Sequence, residues 1–512
     1  MTIREKLGQL MMFGFPGAQP GPEALRLIRE YKAGNVVLFA HNLETPAQMR
    51  ELCKTLRGLI ETETGQPPII SIDQEGGVVA RLPEGAVSFP SAMAVAATGQ
   101  PENARLAALY TGRELAALGV NCNLAPVLDV NTNPHNPVIG VRSYGCSPAQ
   151  AAPFALAAIQ GHLQAGVLPV AKHFPGHGDT AVDSHLGLPR VEKTLDQLLE
   201  CELEPYRQAI RQGVPAIMAA HILFPALEPN GLPASMSPAI LTGLLRGRLG
   251  FEGLVVSDCL EMGAIQDHYG TPEGFVAGLR AGLDIGCVSH TPALALRALE
   301  LAEQAVQSGE LPMARVDEAV RRVLACKKKF ANATADWAEV GAPEHRAAAA
   351  AIMAGAITRL DGKGALPPVD EKALFVGCPA YRATFASSVP DDGRTFAQTL
   401  AGRFGAGFLV TPVQPAEADI QRALYVTQPG QTVVVGTYNA HLNQGQLALV
   451  NELCAAGRQV VAVALRNPYD LPLMSKRAWK LAAYEYTPFS FGAVEAVLRG
   501  ASAPGQLRLA QN

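Results

Sequence analysis

Eight short apolar runs rich in β-branched residues recur through the first 290 residues of the chain. Longer stretches of helical period, rich in Ala, Leu, Arg and Glu, separate them. This alternation is typical of βα units around a parallel sheet, and eight is the number of parallel strands that closes a barrel. The runs are 10–15, 35–40, 69–73, 120–127, 168–173, 216–221, 254–258 and 283–288. We therefore predict an α/β protein with an N-terminal (β/α)8 barrel over residues 1–330.

A second, shorter alternation follows a weakly patterned stretch at 331–342. Strand-like runs stand at 374–377, 432–436 and 460–465, and a helical stretch at 446–456 separates the last two. A chain of 512 residues is also too long for one ordinary core. We predict a linker over residues 331–360 and a smaller C-terminal α/β sandwich domain over residues 361–512.

Ionisable residues stand where several of the barrel strands end. They are Asp73, Asp129, Lys172, His173, His221 and Asp258. Such groups are costly at the end of an apolar strand unless they line a common polar mouth. The carboxyl ends of the strands are also where (β/α)8 barrels carry their chemistry. The sequence therefore predicts a functional site at this end of the barrel.

Composition excludes several classes of function. The chain has 42 lysines and arginines against 46 aspartates and glutamates, which gives no electrostatic footprint for nucleic acid or an anionic membrane. The N-terminus shows no apolar signal stretch, and the sequence has no run of about 18 apolar residues, the length needed to span a bilayer. The nine cysteines are scattered singly, without a CxxC pair, as in a reducing compartment. We expect a cytoplasmic protein without nucleic-acid or membrane partners; its oligomeric state stays open.

The segment 172–185, Lys-His-Phe-Pro-Gly-His-Gly-Asp-Thr-Ala-Val-Asp-Ser-His, places three histidines and two aspartates in fourteen residues after a strand. Gly176 and Gly178 favour a bent loop over a helix. A solvated loop and a metal site are the two simpler readings of this composition. Against metal, Lys172 would place a cation beside the ion. We expect neither a metal nor a cofactor here.

This segment resembles the KHFPGHGxTxxDSH signature of glycoside hydrolase family 3 β-N-acetylglucosaminidases and matches it at every specified position. Further segments support the resemblance in the expected order. They are Asp-Gln-Glu-Gly-Gly at 73–77, Gly-Val-Arg-Ser-Tyr at 140–144, Val-Val-Ser-Asp-Cys-Leu-Glu-Met at 255–262, and two C-terminal stretches at 464–470 and 483–487. The resemblance therefore covers nearly the whole chain.

The resemblance implies a retaining glycosidase in which Asp258 is the nucleophile. It also implies that His185, oriented by Asp183, is the acid and base. A retaining mechanism needs a carboxylate that attacks the anomeric carbon and a proton donor for the leaving oxygen. Histidine suits the second role because it titrates near neutral pH, and a partner aspartate can hold its ring.

The same resemblance implies that the non-reducing sugar is bound by Asp73, Arg81, Arg142, Lys172 and His173. His221 joins this set from its strand-end position, although a core histidine is an equal alternative, and the two arginines alone would more often be surface residues. We interpret Asp129 and Asp284 as structural partners and Met262 as packing below the nucleophile.

Two positions depart from the family pattern: Val78 stands where arginine is frequent, and Cys259 stands where an acidic or polar residue is common. Both bear on substrate contacts and not on the reaction class. A cysteine nucleophile at 259 has no motif that pairs it with a base, which favours packing.

The main hypothesis is removal of terminal β-linked N-acetylglucosamine from peptidoglycan fragments, as in wall recycling. Phosphorolysis at the same site is an alternative, since a histidine repels an incoming phosphate less than a carboxylate does. A catalytically inactive sugar-binding protein and a β-glucosidase of the broader family are the others. The intact Asp258 argues against the former, and Asp183 and His185 within the barrel argue against the latter.

Overall fold

The computed structural model of the protein describes residues 1–184, 187–384, 387–388, 393–507 and 509. Eight parallel strands form a closed barrel in sequence order. They are β1 (Met11–Phe13), β2 (Asn35–Leu38), β3 (Ile69–Ile72), β4 (Cys122–Asn123), β5 (Leu168–Phe174), β6 (Ala216–Ala219), β7 (Leu254–Cys259) and β8 (Ile285–Val288). Each lies within or overlaps one of the eight apolar runs, so the predicted barrel is confirmed.

Helices surround the barrel and connect its strands. The α-helices are α1 (Ile3–Gln9), α2 (Pro22–Arg29), α3 (Pro46–Thr64), α4 (Ala92–Ala97), α5 (Pro101–Ala117), α6 (Pro148–Gln164), α7 (Leu195–Glu200), α8 (Glu204–Arg211), α9 (Gly263–Gln266), α10 (Thr271–Ala281), α11 (Pro292–Ser308) and α12 (Met313–Phe330). Short 3₁₀ turns span Ala40–Asn42, Gly140–Arg142 and Ala234–Met236, and a π-helix spans Ala239–Arg248.

The barrel strands are almost entirely buried, which explains why they read as continuous apolar runs instead of alternating ones. Their side chains share one hydrophobic cluster with the inner faces of the surrounding helices. Asn35 ties the start of β2 to β1: its amide nitrogen donates to the backbone oxygens of Gln9 at 2.8 Å and Met11 at 3.0 Å. The barrel interior is therefore a packed core that leaves its chemistry to the strand ends.

Asp284 lies at the base of the barrel, directly before β8. Its carboxylate, which has no solvent exposure, pairs with Arg246 and Arg315 at 2.7 Å each and with Arg322 at 3.3 Å. It also accepts a hydrogen bond from the Val255 backbone N–H at 3.0 Å. These contacts join the π-helix and α12 to the strand bases, which is the structural role that the sequence suggested for Asp284.

The C-terminal part contains a six-stranded sheet in the order β11-β10-β12-β13-β14-β9. All neighbours are parallel except β9, which is antiparallel to β14. The strands are β9 (Thr358–Arg359), β10 (Leu374–Gly377), β11 (Gly407–Val410), β12 (Thr432–Thr437), β13 (Gln459–Ala464) and β14 (Trp479–Ala482). The predicted runs correspond to β10, β12 and β13, so the second α/β unit is confirmed as part of the fold class.

Five α-helices and two 3₁₀ helices accompany this sheet. The α-helices are α13 (Pro343–Ala356), α14 (Phe396–Phe404), α15 (Glu417–Tyr425), α16 (Gln444–Ala455) and α17 (Pro488–Leu498), and the 3₁₀ helices span Trp337–Glu339 and Pro468–Leu473. The predicted linker thus contains a turn of 3₁₀ helix, all of α13 and the two residues of β9. None of the helices in the described residues is long and apolar enough to cross a membrane.

The C-terminal sheet domain packs on the loops that follow β3 and β4. Val78, Val79 and Val141 of the barrel are buried in the same hydrophobic cluster as the C-terminal strands. Polar contacts reinforce this junction, since the Asn467 side chain accepts from the Val141 N–H at 2.9 Å. Val78, one of the two departures from the family pattern, is therefore an apolar contact between the domains.

Candidate active site

A cavity of about 810 Å³ opens at the carboxyl ends of the barrel strands, where the C-terminal domain meets the barrel. Barrel residues that line it include Asp73, Glu75, Arg81, Arg142, Lys172, His173, Ser184, Asp258, Cys259 and Met262. The C-terminal domain contributes Arg382, Ser387 and Ser388. Six predicted site residues thus share one cavity: Asp73, Arg81, Arg142, Lys172, His173 and Asp258.

Two buried cations and two carboxylates form one side of the cavity. The Lys172 ammonium at the end of β5 lies 2.6 Å from Asp73 Oδ1 and 2.7 Å from Glu75 Oε1. Arg142, from the 3₁₀ turn Gly140–Arg142, donates to both oxygens of Glu75 at 2.8 Å each. Burial alone would raise the pKa of Glu75, but Arg142 and Lys172 hold it well below its usual range. Glu75 therefore stays ionised, and the ion pairs hold the four side chains in place.

Asp129 fixes the orientation of His173. Its fully buried carboxylate lies 2.6 Å from His173 Nδ1 and accepts from the His177 backbone N–H at 2.7 Å. The Arg142 guanidinium lies 3.3 Å from His173 Nε2, and because a guanidinium only donates, Nε2 accepts and Nδ1 carries the proton. Asp129 is thus a structural partner, as interpreted from the sequence, and His173 is held as part of the cavity wall.

His177 anchors the loop that follows β5. Its Nδ1 lies 2.8 Å from Thr180 Oγ1, and its Nε2 lies 3.2 Å from Ser184 Oγ. Burial lowers the pKa of His177 to about 4, so the ring is neutral and acts through these hydrogen bonds. The Ser184 carbonyl also accepts from the Ala264 N–H at 3.2 Å, which ties this end of the loop to the segment after β7.

The predicted acid and base, His185, lies outside the described residues. Its neighbour Ser184 lines the cavity, and Asp183, the predicted orienting residue, is buried and is not among the lining residues. The Asp183 carbonyl accepts from the Gly187 N–H at 3.1 Å, across the two residues that are not described. The chain therefore passes the cavity wall directly before position 185.

Asp258 lies near the end of β7, is partly exposed and faces the cavity. Its Oδ1 accepts from the Cys259 backbone N–H at 2.7 Å. Burial raises the pKa of the Cys259 thiol to about 12, which keeps that neighbour protonated and unsuited to act as a nucleophile. Met262 also lines the cavity but is 5% exposed, so most of its side chain is packed inside the protein.

His221 does not line the cavity among the described residues, which corrects its expected role in sugar binding. Its side chain is 1% exposed; Nδ1 lies 2.7 Å from Ser235 Oγ, and Nε2 lies 3.0 Å from the Cys259 carbonyl. The strand β6 ends before His221, at Ala219, and the side chain supports the backbone of the residue after Asp258. It can position Asp258 but does not reach the cavity.

Arg81 lines the cavity and links it to the second domain. Its Nη1 donates to Ser388 Oγ at 2.6 Å, and the Ser388 N–H donates to the Val78 carbonyl at 2.8 Å. Burial lowers the pKa of Arg81, although the carboxylates of Asp73 and Glu75 oppose this. Arg81 therefore links the cavity wall to the C-terminal loop that contains Ser388.

Several cavity residues were not singled out from the sequence. Glu75 lies inside the same five-residue motif as Asp73, so the motif itself carried the signal. His177 lies in the loop signature, and its buried position marks it as an anchor. Other members of the cavity wall had no sequence signal, because they meet it only in the folded chain: Phe39, His41, His290, Arg382, Ser387 and Ser388.

The cavity carboxylates do not resemble a metal site. Asp73 and Glu75 form ion pairs with the ammonium of Lys172, and Glu75 also pairs with the guanidinium of Arg142. A cation placed among them would meet two positive charges within hydrogen-bonding distance of its ligands. Hydroxyl groups, which both accept and donate hydrogen bonds, fit this arrangement well.

Comparison with known proteins gives a consistent result. Residues 2–326 match the family model described as the glycosyl hydrolase family 3 N-terminal domain. The chain is 37% identical over 412 residues to beta-hexosaminidase A of Pseudoalteromonas piscicida. This alignment covers 72% of this chain and 68% of the relative. It is 37% identical over 340 residues to beta-hexosaminidase LpqI of Mycobacterium tuberculosis, which covers 64% of this chain and 83% of the relative.

Among solved structures, the fold is similar to that of a glycoside hydrolase family 3 β-N-acetylglucosaminidase from Paenibacillus sp. str. FPU-7. The two structures superpose with a TM-score of 0.92 at 38% sequence identity, over 99% of this chain and 98% of the other. The likeness thus extends across both domains.

We expect Glu75→Gln to lower the free energy of unfolding at pH 7 by about 3 kcal/mol, because it leaves two buried cations short of a charged partner. The pKa of Glu75 is depressed in the folded state, so its contribution is present above the unfolded pKa of about 4.3 and is lost as the pH falls below that value. The difference in free energy of unfolding between wild type and Glu75→Gln should therefore become smaller below pH 4.

Urea unfolding at pH 7 and pH 3.5 measures this difference. Glu310→Gln is the matched control, since Glu310 is 56% exposed and pairs with the exposed Arg280, so it should change stability by about 0.5 kcal/mol or less. Equal stability losses in the two variants at pH 7 would contradict the role of Glu75.

Proposed function

The chain belongs to glycoside hydrolase family 3, and from this premise we propose that it is a retaining exo-β-N-acetylglucosaminidase. The observation that carries the proposal is the placement of Asp258 in the same cavity as Lys172, Asp73 and Arg142. The relatives named as β-hexosaminidases and the Paenibacillus β-N-acetylglucosaminidase support the choice of sugar.

The cavity wall supplies what a terminal sugar needs. Asp73 accepts hydrogen bonds from sugar hydroxyls, while Lys172 and Arg142 donate to them. Since Asp73 and Glu75 already hold the two cations in place, little reorganisation is needed when the sugar binds. The sugar ring is thus fixed with its anomeric carbon toward Asp258.

The reaction proceeds in two displacements. In the first, the Asp258 carboxylate attacks the anomeric carbon, the glycosidic C–O bond breaks, and the leaving oxygen takes a proton from His185. In the second, His185 takes a proton from water, the resulting hydroxide attacks the anomeric carbon, and the bond to Asp258 breaks. Free N-acetylglucosamine leaves, and both residues return to their starting states.

His185 as acid and base is supported by its neighbours. His177 and the Ala264 N–H hold Ser184 at the cavity wall, one residue before His185. Asp183, on the other side of Ser184, is buried and is proposed to orient the imidazole and stabilise its charged form. Histidine exchanges protons near neutral pH without a raised carboxyl pKa.

We propose peptidoglycan fragments in the cytoplasm as the substrates. Their terminal N-acetylglucosamine is β-linked, which is the linkage that this mechanism cleaves. All nine cysteines are free thiols in the structure, which supports a reducing compartment. The partner is then a small carbohydrate.

Phosphorolysis is a second candidate at the same site. The observation in its favour is that Arg81 and Arg382 line the cavity beside Ser387 and Ser388, which suits an anionic acceptor. In this reaction phosphate replaces water in the second displacement, and the product is the sugar 1-phosphate.

We expect hydrolysis and not phosphorolysis. The yield of free N-acetylglucosamine should stay unchanged when inorganic phosphate is added, as product analysis by mass spectrometry would show. A sugar 1-phosphate as main product would favour the second candidate.

Asp258→Asn should lower kcat by about 10⁴-fold or more while the fold remains intact, because the amide cannot form the covalent intermediate. The matched control is Asp267→Asn, which changes the same group at an exposed position shortly after β7. Incubation of wild type with a slow fluorinated N-acetylglucosaminide and peptide mass spectrometry should place the label on Asp258. A label on another carboxylate, or near-wild-type turnover of the variant, would refute the assignment.

His185→Ala should impair glycosides with poor leaving groups far more than activated aryl glycosides, since only the former need a proton on the leaving oxygen. Loss of general acid catalysis costs about 10² to 10⁴-fold. Comparing kcat/KM for an alkyl and a nitrophenyl N-acetylglucosaminide measures the difference. Equal losses on both substrates would argue against His185 as the acid.

A further inference from the structure

A second cluster of ionisable side chains lies where the 331–360 segment meets the barrel. Glu339 ends the 3₁₀ turn Trp337–Glu339, Glu344 and His345 lie in the first turn of α13, and Glu114 belongs to α5. None of the four lines the catalytic cavity. One ligand atom each of Glu339, Glu344 and His345 lies within 4.8 Å of the other two.

Glu114 fixes the ring of His345. Both residues are fully buried, and Glu114 Oε1 lies 3.0 Å from His345 Nδ1. Both oxygens of Glu114 also accept from the Gly341 N–H at 3.0 Å, so the carboxylate cannot turn away. Because a carboxylate only accepts, Nδ1 carries the proton, and in the neutral ring Nε2 presents its lone pair.

That lone pair points at carboxylate oxygens. His345 Nε2 lies 3.2 Å from Glu339 Oε2 and 3.9 Å from Glu344 Oε1. Nε2 and Glu339 Oε2 are both buried atoms without a hydrogen-bond partner among the described residues. Two buried acceptors that face each other at this distance are unfavourable unless a proton or a metal ion lies between them.

We propose that Glu339, Glu344 and His345 bind a divalent cation of the zinc class, with Glu114 as the residue that positions the imidazole. Zinc binds imidazole nitrogen and carboxylate oxygen at about 2.0 to 2.2 Å in tetrahedral geometry, so two such ligand atoms lie about 3.3 Å apart. The distance from Nε2 to Glu339 Oε2 is 3.2 Å. A histidine whose other nitrogen donates to a carboxylate is the usual form of a zinc-binding histidine.

Arg113 is the cation that the metal must displace. Its Nη1 lies 3.9 Å from Glu339 Oε2 and 4.0 Å from Glu344 Oε1, too far for a hydrogen bond to either. Its side chain is 40% exposed and that of Glu344 is 60% exposed, so both can move in water when an ion enters. Arg113 and the metal therefore compete for the same carboxylates.

A bound ion would fasten the start of α13 and the preceding turn to the barrel helix α5. The expectation that the chain holds no metal rests on the composition of the 172–185 loop alone. The Glu339, Glu344 and His345 group lies outside it and in a segment of weak pattern. The metal is inferred to be structural, and the inference does not depend on the proposed glycosidase activity.

The test uses the full chain, freed of metal by a chelator, with titration of ZnCl₂ by calorimetry and thermal unfolding in parallel. Wild type should bind one zinc ion at this site with a rise in Tm, and Glu344→Gln should bind it at least about tenfold more weakly. The matched control is Glu51→Gln, at a position 69% exposed beside Lys54, which should bind like wild type. Comparing these variants separates this site from zinc held by cavity histidines.

Arg113→Ala provides a test of opposite sign. If the arginine competes with the ion, its removal should tighten zinc binding, whereas an ion-pair network without metal should only lose stability. Equal zinc affinities of wild type and Glu344→Gln, or weaker binding by Arg113→Ala, would overturn the proposal. Both substitutions lie at partly exposed positions, so neither depends on changing the buried His345.

Discussion

The shared pairing of Glu75 with Arg142 and Lys172 is the interaction on which the cavity end of the barrel depends. A carboxylate and two cations with almost no exposure must satisfy one another, because an unpaired charge at this depth is very costly. The three residues come from the loop after β3, the 3₁₀ turn after β4 and the end of β5. Their ion pairs fix three neighbouring strand ends, and Asp73, which faces the cavity and pairs with Lys172, supplies the second negative charge.

The barrel and the strand-end residues of its cavity could be predicted from the sequence, because parallel strands buried on both sides leave continuous apolar runs and ionisable residues at their ends. Arg81 and Arg142 were expected only from the family resemblance. Other parts left no such signal. Strand β11 is an edge strand with three of its four residues exposed, and β9 has only two residues. His221 had the right position along the chain, but its two ring nitrogens are taken by Ser235 and the Cys259 carbonyl. Whether a strand-end residue faces the cavity or the wall behind it depends on packing between elements, which local patterns do not encode.

The C-terminal domain shapes the catalytic end in two ways. The side chains of Val78 and Val141 are buried in the hydrophobic cluster of the C-terminal domain. This packing holds the two barrel loops that carry them against that domain. Arg382, Ser387 and Ser388 extend the cavity wall, and Ser388 also receives a hydrogen bond from Arg81. The departure at Val78 is thus explained by domain packing. The cavity wall is therefore assembled from both domains.

The ion-pair cluster around Asp284, at the base of the barrel, is separate from the cavity and from the C-terminal domain. Its three arginines bind the strand bases to surrounding helices at the end opposite the cavity, and no member lines the cavity. Barrels commonly divide stability and chemistry between their two faces in this way. Substitutions around Asp284 should therefore change the thermal stability of the barrel while the side chains that line the cavity stay the same.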